Sequence, residues 1–507
     1  MSEATRGAAT APRRPPAVGP ALHFVADAFV PAASGRTFET LDPATNEPIT
    51  GVADGAAEDA DRAVRAARAA FDDGPWPRWP AARRAEVLRL LADLIDARAE
   101  EIAAVECLDT GIPWDQIRHA QIPRAAENFR FFAEMALRLA GELFPTDGVF
   151  HTYTLHRPVG VAGLIVPWNT PFMLQTWKVA PCLAAGNTCV LKPAEWAPLS
   201  AGLLAEIVRD AGLPPGVFNV VHGVGERAGA AVVAHPGVQL ISFTGETATG
   251  REIMRNGASG LKRFSMELGG KSPVVVFADA DLDRALDAAI FGVFSLNGER
   301  CTAGSRLLVE APVYDGLVDA LLARVARIRI GAPLDPATEL GPLIHPDHWH
   351  RVRGYMDVAR AEGVTVAAGG DRPAGVDRGN YFAPTVLLGA DARHRVFQEE
   401  IFGPVLCVTP FANEAEAVRL ANAVRYGLAA YVWTSDVARA HRVAAQVEAG
   451  MVWVNSQNVR DLRIPFGGMK DSGIGREGGL YSFEFYTERQ AVHVALGRHP
   501  IPRLGAG

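Results

Sequence analysis

Short apolar runs alternate with longer amphipathic stretches through the middle of the chain. Between residues 158 and 270 the runs rich in Val, Ile, Leu and Phe are continuous, and turn-forming residues bound each of them. The pattern predicts strands at residues 159–166, 188–191, 217–221, 240–243 and 264–268, with helices at residues 173–185, 199–211 and 228–234. Continuous apolar strands joined by helices indicate a parallel sheet that helices cover on both faces.

A second β/α series follows the first. It begins with a strand at residues 274–277, a helix at 282–296 and a strand at 306–309, and it extends to about residue 454. Upstream, apolar positions recur at helical spacing from residue 86 to 104 and predict one long amphipathic helix. Without a tandem repeat or a long linker, the two α/β units are expected to share a tight interface. Ligands usually bind in clefts at the carboxyl ends of such strands.

The composition excludes several classes of protein. A length of 507 residues predicts about three domains, and 49% apolar with 21% charged residues is typical of a globular protein with a large core. The net charge of -7 argues against nucleic acid or an anionic membrane as a partner. No apolar run approaches the ~18 residues of a membrane span. Residues 1–21 are rich in Ala, Pro and Arg and predict a disordered tail, with an ordered arm on a partner subunit as the alternative.

The five cysteines form no C-x-x-C pair, which argues against a disulfide framework or a zinc finger and favours a reducing cytoplasm. Four lie in apolar surroundings and are interpreted as core residues: Cys107, Cys182, Cys189 and Cys407. Cys301 instead follows Arg300 among polar and small residues, a setting that suits an activated thiolate. The context alone leaves a nucleophile and an inert thiol both open.

Two polar residues follow predicted strands and could serve such a thiolate. Asn169, in Pro-Trp-Asn, could donate its amide to a developing oxyanion, although a simple turn explains the motif as well. Glu267 ends a strand before two glycines and is a candidate general base. Its immediate context favours a helix-capping or ion-paired Glu instead.

Three further strand ends suggest a nucleotide cofactor. Residues 223–229 loosely match the G-x-G-x-x-G motif, which would put the ribose-binding acid near Glu246. The turn at residues 243–250 offers another helix N-terminus for a phosphate. Lys192 and Glu195 follow a third strand, and both could bond ribose hydroxyls. Each signal is weak, but three at neighbouring strand ends together predict a dinucleotide site.

A histidine cluster offers a different chemistry. His345, His348 and His350 have a spacing that could bind a transition metal. The stretch is polar and none of the chemistry above needs a metal, so we expect no metal site.

Seven ordered motifs resemble those of the NAD(P)-dependent aldehyde dehydrogenase superfamily, over roughly residues 23–503. They are Pro167-Trp-Asn169, Lys192-Pro-Ala-Glu195, Phe243-Thr-Gly245, Glu267-Leu-Gly-Gly-Lys-Ser-Pro273, Cys301-Thr-Ala-Gly-Ser-Arg306, Glu399-Glu-Ile-Phe-Gly-Pro404 and Pro465-Phe-Gly-Gly468. The resemblance implies an α/β fold of two parallel-sheet domains and a small β bridging element for oligomerisation. The implied domains are an NAD-binding domain (22–142 and 161–268), a catalytic domain (269–476) and the bridging element (143–160 and 477–507).

The resemblance also implies a role for each catalytic candidate. Cys301 would be the nucleophile that attacks an aldehyde to form a thioester. Asn169 and the backbone N–H of Cys301 would form the oxyanion hole, and Glu267 would activate the water that hydrolyses the thioester. The presence of Glu267 favours water over coenzyme A as the acyl acceptor, and a non-enzymatic relative would be expected to lack Cys301 or Glu267.

For the cofactor, the resemblance assigns the adenosine ribose to Lys192 and Glu195 and so replaces Glu246 in that role. Many relatives have Ser at the position of Glu246, which leaves one phosphate contact open. Gly245 would lie at the pyrophosphate, and Glu399 and Phe402 at the nicotinamide end. The same site would include Val166, Trp168, Gly225, Gly229, Thr244, Glu246 and Leu268. A Glu195 carboxylate would repel a 2′-phosphate, so we expect NAD rather than NADP.

Two arginine-bearing segments resemble a branch of this family that acts on muconate semialdehydes. In that branch Arg124 and Arg463 would clamp a substrate carboxylate, because guanidinium groups bind carboxylates through paired hydrogen bonds. Structural ion pairs are the alternative. Residues 149–157 resemble the protruding strand through which the family forms homodimers or homotetramers.

Overall fold

Two large β-sheets, each packed against helices, form the body of the chain in a computed structural model that describes residues 13–505. The strands are β1 (His23–Val25), β2 (Ala28–Val30), β3 (Thr37–Leu41), β4 (Pro48–Ala53), β5 (Leu143–Phe144), β6 (Phe150–Pro158), β7 (Val161–Ile165), β8 (Thr188–Lys192), β9 (Phe218–Val220), β10 (Leu240–Thr244), β11 (Arg263–Glu267), β12 (Pro273–Val276), β13 (Arg306–Glu310), β14 (Thr365–Ala368), β15 (Thr385–Leu388), β16 (Val405–Phe411), β17 (Tyr426–Gly427), β18 (Ala429–Trp433), β19 (Met451–Val454), β20 (Met469–Lys470), β21 (Gly473–Ile474) and β22 (Thr487–Ala495). The helices are α1 (Ala57–Asp72), α2 (Ala81–Ala97), α3 (Ala99–Thr110), α4 (Trp114–Gln116), α5 (Ile122–Ala136), α6 (Pro171–Ala184), α7 (Ser200–Asp210), α8 (Ala230–Ala234), α9 (Thr247–Gly257), α10 (Leu282–Phe294), α11 (Tyr314–Val325), α12 (Pro346–Ala361), α13 (Arg395–Gln398), α14 (Glu414–Asn422), α15 (Val437–Gln446) and α16 (Gly479–Tyr486).

The first sheet has the strand order β2-β1-β9-β8-β7-β10-β11-β21. Its five central strands, from β9 to β11, run parallel, as the apolar pattern predicted. Every residue of β7, β8 and β10 is buried, because helices cover both faces of the sheet. The edges are antiparallel: β1 and β2 close one side, and β21 closes the other.

The second sheet has the order β14-β15-β16-β13-β12-β18-β19 and is parallel except for the β14–β15 pair. A third sheet, β22-β6-β5, is separate from both. Within it β6 and β22 pair antiparallel along nine residues each. The predicted α/β fold with two sheets and a small β element is therefore present, although β21 joins the first sheet from inside the segment expected to be catalytic.

Two local predictions differ from the structure. The helix expected at residues 86–104 is two helices, because Arg98 leaves helical geometry (φ -101°, ψ 16°) between α2 and α3. The Arg98 guanidinium bonds to Glu101 and Glu206, while the apolar spacing continues through the break and conceals it. Of the tail predicted at residues 1–21, residues 1–12 lie outside the described part. Within the described residues of this segment, Arg13 is anchored: its N–H donates to the Leu334 carbonyl, and its guanidinium lies 4.1 Å from the Trp114 ring centroid.

Between residues 13 and 505, none of the helices has both the length and the apolar character needed to cross a membrane.

Candidate active site

A cleft of about 500 Å³ opens at the carboxyl ends of β7, β8, β10 and β11. It is lined by nearly all the residues proposed for the cofactor: Val166, Trp168, Lys192, Glu195, Gly225, Gly229, Thr244, Gly245, Glu246, Leu268 and Phe402. Asn169 and Cys301 line the same cleft. Parallel strands bring these distant segments together because their carboxyl ends meet at one edge of the sheet.

The groups in this cleft fit a dinucleotide. The Lys192 ammonium donates to a Glu195 carboxylate oxygen at 2.7 Å. Burial acts to raise the pKa of Glu195, but the charge and hydrogen bond of Lys192 outweigh it and the pKa lies below its usual value. The hydroxyl of Thr244 is buried in the same cleft without a partner among the described residues. A charged acceptor, an ammonium group and a free hydroxyl are the groups that ribose and phosphate need.

The structure corrects the expectation for Glu399. Its carboxylate lies outside the cleft, where it accepts from the Tyr355 hydroxyl at 2.9 Å and from Arg395 at 2.8 Å. The neighbouring Glu400 lines the cleft instead and accepts from the Gly270 N–H at 2.7 Å. Burial raises the pKa of Glu400 to about 7. Two adjacent Glu residues satisfy the same motif, and only the backbone direction decides which one faces the cofactor cleft.

Cys301 follows a turn that has an unusual backbone conformation and is held by residues of both α/β units. Leu296 and Asn297 both have positive φ angles, 52° and 57°. The Asn297 side chain holds the turn in place by donating to the carbonyls of Gly111 and Pro342 and by accepting from the Gly341 N–H. Such strain persists where the surroundings over-determine it, which is typical of functional sites.

Burial has the largest effect on the pKa of the Cys301 thiol. It raises the pKa of Cys301 to about 11, and the positive charge of Arg460 acts in the opposite direction. Asn169 is buried beside it, and its side-chain NH₂ donates one hydrogen to the Glu299 carbonyl at 2.9 Å. The second hydrogen of that NH₂ remains for an oxyanion.

Glu267 ends β11, is 4% exposed, and neither of its carboxyl oxygens has a hydrogen-bond partner among the described residues. Gly467 leaves room for it, because a Cβ there would lie 2.7 Å from one of those oxygens. The pKa of Glu267 is raised well above its usual value by burial and by the Glu477 carboxylate, whereas Lys178 acts to lower it. The carboxyl group is therefore poised to hold and release a proton.

The two arginines that the sequence suggested as a clamp lie in different surroundings. Arg124 lies half-buried, 5.4 Å from the Trp177 ring centroid, and burial followed by the charge of Arg460 lowers its pKa to about 10. Arg463 points outward, bonds to Asp461 and has a side chain that is 77% exposed. It does not reach toward Cys301.

Arg460, three residues earlier, is instead close enough for its charge to act on the thiol. Its guanidinium interacts electrostatically with Cys301, Glu267 and Arg124, and it lies 4.0 Å from the Phe466 ring centroid. The residue keeps a large accessible surface, yet desolvation lowers its pKa. Among the described residues no carboxylate forms a salt bridge with Arg460, which leaves the guanidinium available to a ligand.

The histidine cluster does not assemble a metal site: no group of three His, Cys, Asp or Glu side chains within residues 13–505 could hold an ion. His348 is buried and lines the cofactor cleft, and His345 stacks on Trp196 at 4.7 Å between ring centroids.

The profile of the aldehyde dehydrogenase family matches residues 29–492, and the chain belongs to this family. The expected fold and enzyme class, an oxidoreductase acting on aldehydes, are thereby confirmed.

Among curated relatives, the 5-carboxymethyl-2-hydroxymuconate semialdehyde dehydrogenase of Escherichia coli is 53% identical over 450 residues, which is 88% of this chain and 95% of that protein. The 2-hydroxymuconic semialdehyde dehydrogenase of Pseudomonas sp. (strain CF600) is 48% identical over 482 residues, 94% of this chain and 99% of that protein.

Solved structures agree with this assignment. HpcC from Thermus thermophilus superposes with a TM-score of 0.94 at 53% identity, covering 96% of this chain and 95% of that one. The NAD+ complex of an aldehyde dehydrogenase from Bacillus cereus superposes with a TM-score of 0.92 at 42% identity, covering 94% of this chain and 97% of that one.

Proposed function

We propose that the chain oxidises 5-carboxymethyl-2-hydroxymuconate semialdehyde to the acid, with NAD, in homoprotocatechuate (4-hydroxyphenylacetate) breakdown. The observation that carries the substrate class is Arg460, whose charge acts both on the Cys301 thiol and on Arg124 and which has no carboxylate partner among the described residues. A guanidinium group that acts on the nucleophile, with a second one whose charge it affects, favours an aldehyde that carries a carboxylate. The similarity to relatives named for muconate semialdehydes supports the same class.

The cofactor is NAD. Lys192 and Glu195 would hold the adenosine ribose, the Gly225–Gly229 turn and Gly245 the pyrophosphate, and Glu400 with Phe402 the nicotinamide end. The pKa of Glu195 is low enough to keep its carboxylate charged. A charged carboxylate accepts from a ribose 2′-hydroxyl and repels a 2′-phosphate, which disfavours NADP.

The reaction follows from the side chains around Cys301. The thiol loses its proton to water, and the thiolate forms a bond to the aldehyde carbon while the carbonyl π electrons move to oxygen. Asn169 and the Cys301 N–H hold the oxyanion. When bound, the nicotinamide ring supplies the oxidising equivalent by accepting a hydride from that carbon. Glu267 then takes a proton from water as the water attacks the thioester, the C–S bond breaks, and the acid leaves with the thiolate restored.

Pre-steady-state measurements of NADH release test the roles of Cys301 and Glu267. Cys301→Ala should abolish aldehyde oxidation, because no other group can form the thioester. Glu267→Gln should release about one NADH per subunit in a burst and then stall, because the thioester forms but no base activates water. Cys107→Ala, which removes a buried thiol that does not line the cleft, is the control and should behave as wild type. A burst followed by normal steady turnover in Glu267→Gln would refute its role as base.

The carboxylate clamp is tested by comparing a carboxylated semialdehyde with acetaldehyde. Arg460→Ala and Arg124→Ala should each lower kcat/KM for the carboxylated substrate by about 100-fold, equivalent to the loss of a charge-assisted hydrogen bond. Arg124→Ala should change kcat/KM for acetaldehyde by less than about threefold. Arg460→Ala should lower it by no more than about tenfold, because it also removes a cation that favours the Cys301 thiolate. Arg463→Ala is the matched control, three residues away and paired with Asp461, and should leave both unchanged. Equal losses on the two substrates for Arg460→Ala, or a selective loss only for Arg463→Ala, would contradict the clamp.

A second candidate substrate is 2-hydroxymuconate or 2-aminomuconate semialdehyde, which the same arginine pair could bind. The relatives at 48% and 46% identity are named for these two semialdehydes and support this candidate. The ranking of kcat/KM across the three semialdehydes decides between them. We further propose that the chain acts in the cytoplasm as a homodimer or homotetramer.

A further inference from the structure

The histidine motif of α12 packs against the cofactor cleft, behind the residues that contact the reacting groups. His345 precedes the helix and its ring accepts from the Asp347 N–H at 3.2 Å, which makes it the N-cap. His348 lies one turn later, 2% exposed. Its ring is 5.1 Å from Trp168 and 6.2 Å from Phe402, between ring centroids. The motif is thus part of the cleft wall, and none of the chemistry described above uses it.

The ring of His348 has a defined tautomer. Its Nε2 lies 2.7 Å from the Phe402 carbonyl oxygen, which can only accept. Nε2 therefore carries a hydrogen and donates it. Burial lowers the pKa of His348 to about 3, so the ring is neutral at physiological pH and Nδ1 carries no proton. Phe402 has a positive φ of 61°, a conformation that a non-glycine residue keeps only when its surroundings hold it.

Glu299 connects this wall to the oxyanion hole. One of its carboxyl oxygens lies 3.7 Å from the His348 Nε2 and accepts from the Ile344 N–H at 2.9 Å. Its backbone carbonyl accepts the hydrogen bond that orients Asn169. Glu299 therefore contacts His348 through its side chain and orients Asn169 through its backbone carbonyl.

The backbone on either side is packed too tightly to move independently. A Cβ at Gly298 would lie 2.2 Å from the carbonyl carbon of Gly403, so the stretch of chain before Cys301 touches the segment that follows Phe402. Displacing Phe402 would displace the nucleophile loop as well. A small misplacement of reacting groups can cost about 100-fold in rate.

We propose that His348 and Glu299 are a positioning pair that holds Phe402 and Asn169 in one geometry, so that the nicotinamide end of the cleft and the oxyanion hole are set together. Neither residue takes part in the chemistry. Both act through the groups they hold: His348 through the Phe402 carbonyl, and Glu299 through the carbonyl that orients Asn169.

The test compares His348→Leu, which removes the donor, with His348→Gln, whose side-chain NH₂ can still donate to the Phe402 carbonyl. His348→Leu should raise KM for NAD and lower kcat by about tenfold each, whereas His348→Gln should stay within about threefold of wild type. His350→Leu, on the same helix but exposed, is the matched control and should change neither constant. The midpoint of urea denaturation should be the same in all of them, which distinguishes lost positioning from a disrupted fold.

The link between the two residues is tested with a double variant. Glu299→Leu should lower kcat by about tenfold, and Glu299→Gln, which still accepts from Ile344, should restore it. In His348→Leu/Glu299→Leu the loss should not exceed that of the worse single variant by more than about threefold, because both variants disturb one arrangement. Multiplied losses, a wild-type His348→Leu, or a His348→Gln as impaired as His348→Leu would each overturn the proposal. If the leucine variants do not fold, His348→Asn, too short to reach Phe402, replaces His348→Leu with the same expectation.

Discussion

At the scale of single residues, burial and charge oppose each other around Cys301. Burial raises the pKa of the thiol to about 11, while Arg460 and Arg300 act to lower it. The thiol is therefore mostly protonated at neutral pH, and the thiolate fraction grows about tenfold with each pH unit below that pKa. Glu267 also holds its proton above its usual range. Both effects make the reaction faster as the pH rises.

We predict that the rate at which iodoacetamide inactivates the enzyme rises about tenfold per pH unit between about pH 7 and 9, because only the thiolate reacts. Arg460→Met should move this profile to higher pH, since it removes the cation that favours the thiolate. Arg463→Met should leave the profile unchanged. The measurement is the pH dependence of the inactivation rate; a plateau below about pH 8 in the wild type would contradict a pKa dominated by burial.

At the scale of elements, Arg306 at the start of β13 joins the segment before β12 to α14. It is 1% exposed and donates to three carbonyls, those of Lys271, Leu420 and Ala421, at 2.7 to 2.8 Å. Two of these belong to the last turn of α14, where carbonyls lack intrahelical partners and the helix dipole favours a cation. Burial lowers the pKa of Arg306 to about 9, and the three hydrogen bonds offset that cost.

Replacing Arg306 with Met should lower the free energy of unfolding by about 3 kcal/mol, because three buried carbonyls lose a charged donor. The readout is the midpoint of urea denaturation. Arg419 lies on α14 and forms an exposed pair with Glu416, so Arg419→Met should lower the free energy of unfolding by less than about 0.5 kcal/mol. Similar losses in the two variants would show that Arg306 does not join these elements as described.

At the scale of the whole molecule, the β22-β6-β5 sheet is the part that the single chain leaves most exposed. Along β22 nearly every residue from Glu488 to Ala495 is exposed on both faces. The sheet carries large apolar side chains in water: Leu143 is 64% exposed, Leu155 42% and Val494 46%. A small sheet with exposed apolar residues is typical of a surface that pairs with another subunit.

We expect light scattering to give a mass of two or four chains. Val494→Asp should shift it toward the single chain, because it places a charge in the proposed interface. Val437→Asp, at an exposed apolar position on α15 in the second α/β unit, should not. A single-chain mass for the wild type would refute the assembly.

The sequence by itself indicated the two α/β units and the cleft at the strand ends, because continuous apolar strands that alternate with helices are typical of a parallel sheet covered on both faces. Its ordered motifs indicated the family. It also identified the residues that line the cleft at the strand ends, since the carboxyl ends of parallel strands meet at one edge of the sheet. Tertiary structure alone decided between neighbours with the same chemistry. Adjacent residues in an extended segment point in opposite directions, so Glu400 and not Glu399 faces the cleft. The different surroundings of Arg460 and Arg463, and the place of His348 in the cleft wall, depended in the same way on partners distant in sequence.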